Sequence, residues 1–223
     1  MPPARKHKPP GTKRERRVSR TRAWLLIALG SAVLIGCGAV VGTHNHWGFQ
    51  PLPEITGTKV VVPSHWQPEE TPRTWKWIVI HHSASDSGGA AVFDVWHRKR
   101  GFDELGYHFV IDNGEGMPDG NVEVGSRWLK QKQGAHAKSP DGQYNERGIG
   151  ICLVGNFENS EPTAKQWQML VKLVAYLSAQ YDIPSDRIIG HHDVNGTTLC
   201  PGKNLSVEKL REDVKAYLRE HRK

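Results

Sequence analysis

The chain has few cysteines: three in 223 residues, Cys37, Cys152 and Cys200. They lie far apart and form no C-x-x-C pair, which excludes a disulfide framework and argues against a closed structural metal site built from local cysteine pairs. Internal repeats are absent, so a solenoid is excluded. Net charge is also missing from most of the molecule. The chain carries a formal +7 and a pI of about 9.4, but residues 1–22 hold nine Lys or Arg against the single Glu15, a formal +8. Residues 23–223 therefore sum to −1. The basic pI describes a tail, not a surface, and gives no support for a nucleic-acid partner.

Long apolar runs are missing too, with one exception. Ala23 to Gly42 is twenty consecutive residues without a charge, long enough at 1.5 Å per residue to cross a hydrocarbon core of about 30 Å. The expectation is a transmembrane anchor over 23–42, with the basic tail 1–22 in the cytoplasm and the rest extracytoplasmic, in the cell envelope or periplasm. Leu34-Ile35-Gly36-Cys37 offers an alternative, because it resembles a lipobox and would make Cys37 the site of a lipid anchor. A Pro-rich stretch over 43–74 reads as an extended linker in which Lys59 to Val62 docks as an edge strand, leaving 75–223 as the folded domain. The sequence carries no signal for oligomeric state.

Within that domain, strand and helix patterns alternate. Strands are expected at Trp75–His81, Tyr107–Asp112, Asn121–Val124, Gly148–Val154 and Arg187–Gly190. Helices are expected at Ala90–Arg100, after Thr163 with its capping-box partner Gln166, and after Ser206. The order predicts an α/β fold, a mixed central sheet flanked by helices, with a metal site at the strand ends.

That site is assembled from two segments more than a hundred residues apart. Strand Trp75–His81 ends in His81-His82, and Gly190-His191-His192 is followed by Cys200. Imidazole and thiolate donors favour zinc, and three protein ligands leave a fourth position open, the pattern of a catalytic site. His81, His191 and Cys200 are the expected ligands. His82 and His192 should face away and take supporting or core roles. His108 reads as a structural histidine and Cys152 as a core thiol. Trp96 and His97 fit the buried or rim face of a short helix, and the linker residues His44 and His46 receive no role.

Five motifs in order, IVIHHSA, GYHFVI, GAHA, YNERGIGICLVGNF and GHHDV...TLCPG, resemble the zinc-dependent N-acetylmuramoyl-L-alanine amidases of type 2, a group similar to phage amidase-lysozymes and peptidoglycan-recognition proteins. The resemblance covers about residues 75–205. It implies hydrolysis of the amide between the lactyl group of N-acetylmuramic acid and L-alanine, with peptidoglycan or muropeptides as partner and Zn2+ as cofactor. It places the ligands on His81, His191 and Cys200 and the catalytic tyrosine on Tyr107. His136 of GAHA, with Asn145, is expected to line the substrate groove. Phage members carry a lysine where this chain has Thr198, so Thr198 is expected to assist catalysis by hydrogen bonding without a charge. Some relatives carry a glutamate base where this chain has Cys152, which leaves the general base open, with zinc-hydroxide and Tyr107 the preferred pair. The competing classes are a non-catalytic recognition module, against which Cys200 argues because binders commonly replace that ligand, and an envelope-tethered structural zinc protein.

Overall fold

The computed structural model describes residues 54–56 and 59–221. In chain order, a short hairpin pairs β1 (Glu54–Thr56) with β2 (Lys59–Val61). Then come β3 (Trp77–His82), α1 (Ala90–Lys99), β4 (Phe109–Ile111), β5 (Val122–Val124) and α2 (Ser126–Leu129). They are followed by α3 (Gln143–Glu146), β6 (Gly148–Leu153), α4 (Ala164–Tyr181), β7 (Ile188–Gly190), α5 (His192–Asn195) and α6 (Val207–His221). Five strands form one sheet in the order β5-β4-β6-β3-β7. All its pairings are parallel except β4 with β5, so the sheet is mixed, as expected.

The central strands are buried on both faces, which is why β6 reads as a continuous apolar run, GIGICL, rather than an alternating one. One face carries Ile78, Ile80, Ile149, Ile151 and Leu153 against Leu170, Leu173, Val174 and Leu177 of α4 and Leu210 and Val214 of α6. Each such leucine contributes about 1.5–3 kcal/mol by leaving water. The start of α4 is held by a reciprocal cap: Gln166 N donates to Thr163 Oγ1 at 3.0 Å and Thr163 N to Gln166 Oε1 at 3.1 Å. Gln166 then reaches into the sheet, donating from Nε2 to Ile111 O (3.1 Å) and Val154 O (2.8 Å). Ser206 likewise accepts from Lys209 N at 3.1 Å at the start of α6.

Two expectations change. The segment 43–74 is not an extended linker throughout, because from Val62 onward it packs on the domain. Trp66 is 1% exposed, and its carbonyl accepts from Trp128 Nε1 at 2.6 Å. Arg73 N and Trp75 Nε1 both donate to Gln131 Oε1 at 3.0 Å. A buried tryptophan outweighs the extended bias of the surrounding prolines. The second change concerns Lys59–Val61, which pairs with Glu54–Thr56 and not with the edge of the main sheet. The expected membrane span, residues 23–42, lies outside the described residues; among those described, no helix is long and apolar enough to cross a membrane.

Candidate metal centre

Parallel pairing brings the two histidines together. Ile80 of β3 lies opposite Gly190 of β7, so the next residues, His81 and His191, emerge side by side, with His191 N donating to Ile80 O at 3.1 Å. Their ring centroids are 4.6 Å apart. The chain then turns through α5, where Asp193 Oδ2 accepts from Gly190 N at 2.8 Å, and doubles back. Its return is tied down because Cys200 O accepts from His192 N (2.7 Å) and lies 3.0 Å from His192 Nδ1. Thr198 Oγ1 accepts from Cys200 N at 3.1 Å. Cys200 Sγ thereby comes within 3.7 Å of His81 Nδ1 and accepts from His82 N at 3.3 Å.

One ligand atom from each of His81, His191 and Cys200 lies within 4.8 Å of the others. For a tetrahedral ion with Zn–N of about 2.0–2.1 Å and Zn–S of about 2.3 Å, neighbouring donors sit about 3.5 Å apart, close to the observed S···N separation. The donor set, two imidazoles and one thiol, suits zinc. Burial, then the adjacent His136 and His191 rings, hold His81 well below the usual histidine range, and burial lowers His191. Burial also pushes the Cys200 thiol up to about 12, so an ionised Cys200 requires a cation beside it.

The other histidines divide by role. His82 Nδ1 accepts from Phe157 N at 3.2 Å and His192 is engaged with Cys200 O and Asp193, so neither belongs to the cluster. His108 accepts from Gly150 N at 2.9 Å and lies 3.1 Å from Lys132 O; burial lowers it to about 4, as suits a neutral structural ring. His136 and Asn145, both expected at a substrate groove, are engaged with protein groups. His136 is buried behind His81, its Nδ1 3.0 Å from His81 Nε2 and its Nε2 3.1 Å from Gly148 O. Asn145 Oδ1 accepts from the backbone of His136 and Ala137 at 2.8 and 2.9 Å. Both ring nitrogens of His136 and the Oδ1 of Asn145 are used inside the protein.

Tyr107 stands beside the cluster, its ring 5.1 Å from that of His81 and 5.3 Å from that of His97. Burial, then the nearby Cys152 and Cys200 thiols, raise its hydroxyl well above the usual tyrosine range, so it remains a neutral donor. Cys152 is fully buried and its thiol is raised by that burial, which makes it an inert core group. Asp94 has a role that no sequence motif announces. Its Oδ1 accepts from Leu105 N at 2.6 Å, and His97 Nδ1 accepts from Gly106 N at 2.9 Å. Two residues one turn apart on α1 thus pin the backbone that leads into Tyr107. The i, i+3 spacing of Asp94 and His97 is the one available signal. Helix α1 is itself fixed at its start by Glu123 Oε1, which accepts from Ala90 N at 2.6 Å.

The structure is thus a mixed α/β sheet with a His-His-Cys cluster, at the ends of two parallel strands, that could hold a metal ion. The chain belongs to the N-acetylmuramoyl-L-alanine amidase family, which residues 71–203 match. It is 35% identical over 136 residues to the endolysin of Enterobacteria phage T3, an alignment covering 57% of this chain and 81% of the relative. It is 32% identical over 136 residues to peptidoglycan-recognition protein SC2 of Drosophila melanogaster, covering 57% and 68%. Among solved structures, the endolysine N-acetylmuramoyl-L-alanine amidase LysCS from Clostridium intestinale URNW shares the fold with a TM-score of 0.55 and 31% identity, covering 64% of this chain and 84% of that one.

Proposed function

We propose that this chain is a zinc-dependent amidohydrolase that cleaves the amide between N-acetylmuramic acid and L-alanine in peptidoglycan or muropeptides. The observation that carries the reading is the convergence of His81, His191 and Cys200, with Tyr107 beside them, within an amidase-family domain. A zinc ion held there supplies Lewis acidity, polarising a carbonyl and acidifying water. The protein's own groups do the rest. His81 and His191 offer neutral nitrogen donors, and Cys200 offers sulfur that His82 N–H helps to hold as an anion. Tyr107 keeps its proton and can donate it in a hydrogen bond to oxygen that gains charge as the amide carbonyl is attacked, a contact worth more in the transition state than before it. Thr198, half exposed and two residues from Cys200, has a hydroxyl hydrogen free for the same purpose. Kinship with a peptidoglycan-recognition protein supports the substrate class.

The test incubates the purified full-length chain with a muropeptide and identifies products by mass spectrometry. Release of the stem peptide with a free L-alanine amine is the expected result. Binding without release overturns the enzymatic reading in favour of a recognition module. We further propose that residues 23–42 anchor the chain in the membrane with the domain on the extracytoplasmic side, on the strength of their charge-free length and the basic tail before them. A reporter fused after Lys223 that is active in the cytoplasm overturns this, and incorporation of labelled fatty acid that disappears in Cys37→Ala replaces the helix with a lipid anchor.

A further inference from the structure

His136 is buried behind His81, and several local features are arranged around it. It is 8% exposed. Its backbone N–H is held by Asn145 Oδ1, and its ring fills space that two glycines leave open: a Cβ at Gly134 would lie 2.3 Å from its Cδ2, and one at Gly150 would lie 2.5 Å from the same atom. Neither position admits a side chain while the imidazole stays in place.

The hydrogen bonds of this ring have a direction. Gly148 O can only accept, so the nitrogen 3.1 Å from it, His136 Nε2, carries hydrogen. His136 Nδ1 is then the lone-pair nitrogen and accepts across 3.0 Å from His81 Nε2, which must therefore be the protonated nitrogen of His81. That leaves Nδ1 of His81 as its lone pair, and Nδ1 is the atom 3.7 Å from Cys200 Sγ. We infer that His136 is a positioning residue that fixes the tautomer and ring orientation of His81, so that the Nδ1 lone pair faces the metal position between His191 and Cys200. This deepens the zinc reading and rests on it. Metal-ligating histidines usually give their second N–H to a carboxylate, carbonyl or water. Here the carbonyl is reached through a second imidazole, so the ligand is oriented by a neutral acceptor.

Two substitutions at one position separate the halves of the relay. The amide oxygen of His136→Asn stands near the place of Nδ1 and retains an acceptor for His81. The longer amide of His136→Gln reaches the place of Nε2 and retains the bond to Gly148 O, but leaves His81 Nε2–H without its acceptor. The experiment uses the full-length chain, with zinc affinity measured by chelator competition and the tautomer of His81 by nitrogen-15 NMR of the metal-free protein. Wild type should show His81 protonated on Nε2. His136→Gln should lose that single tautomer and bind zinc about 10- to 100-fold more weakly, and His136→Asn should restore most of both. Wild-type affinity and an unchanged tautomer in His136→Gln overturn the inference, as does a wild-type His81 protonated on Nδ1. If wild type takes up no zinc, the metal reading fails separately, and the tautomer in metal-free protein still decides the role of His136.

Discussion

The two faces of the central sheet are built from the same strands by different rules. In β6, Ile149, Ile151 and Leu153 point into the packed layer under α4 and α6. Between them, Gly148, Gly150 and Cys152 face the side that holds His136, Tyr107 and the His81–His191–Cys200 cluster. β3 alternates in the same way, with Ile78 and Ile80 on one face and Val79 and His81 on the other. The aliphatic face is governed by volume, where neighbouring residues of similar size can compensate for one another. The other face is governed by hydrogen-bond direction, where His136 stands between Gly148 O and His81 and each ring nitrogen has one partner. Stability should therefore depend mainly on the first face and chemistry on the second.

The strongest test removes a donor. Cys200→Ser replaces a thiolate with a neutral hydroxyl, so zinc content measured on purified protein should fall. Turnover should fall by more than the roughly 10²- to 10³-fold expected for loss of one oxyanion donor. Undiminished zinc removes Cys200 from the ligand set. On the opposite face, Ile151→Ala should cost about 2–5 kcal/mol in unfolding free energy, measured by denaturant titration, because Ile151 is fully buried among aliphatic side chains. Zinc content and turnover per folded molecule should stay near wild type. A loss of turnover at full folding would mean that the two faces are coupled.

Tyr107→Phe keeps the ring between His81 and His97 and removes only the hydroxyl. Turnover should drop about 10²- to 10³-fold, equivalent to about 2.7–4 kcal/mol, while zinc content and muropeptide binding remain near wild type. Full turnover in this variant makes Tyr107 a packing residue and passes its role to Thr198 or water.

The same division governs what the sequence makes legible. Periodicity marks the aliphatic face: Leu170, Val174 and Leu177 repeat at helical spacing, and Thr163 with Gln166 announces the cap that the structure contains. The convergence of His81, His191 and Cys200 is legible because a strand ending in His-His and a second His-His followed by cysteine suit few roles besides metal binding. The place of His136 is not, because a polar residue in a loop motif looks the same whether it faces solvent or a buried carbonyl. The signal lies in Gly134 and Gly150, whose missing side chains make room for the ring, but a glycine does not name what fills its space. Trp66 is hidden for a related reason, since prolines on both sides mark extended backbone and say nothing about whether that backbone packs.

The smallest expected effect is also the one that distinguishes two uses of the same atom. Thr198 Oγ1 accepts from Cys200 N at 3.1 Å, so the hydroxyl steadies the loop that carries Cys200, while its hydrogen remains available to a reacting oxygen. Thr198→Val keeps the shape and loses both bonds. One neutral hydrogen bond contributes about 0.5–1.5 kcal/mol net, or about 2- to 13-fold in turnover, well below the effect of Tyr107→Phe. If the loss arises through the loop, zinc affinity by chelator competition should fall along with turnover, and Thr198→Ser, which restores the acceptor, should recover both. If it arises at the reacting oxygen, zinc affinity should stay at the wild-type value while turnover alone falls. A Thr198→Val effect larger than that of Tyr107→Phe would reverse their ranking and make the threonine the principal donor.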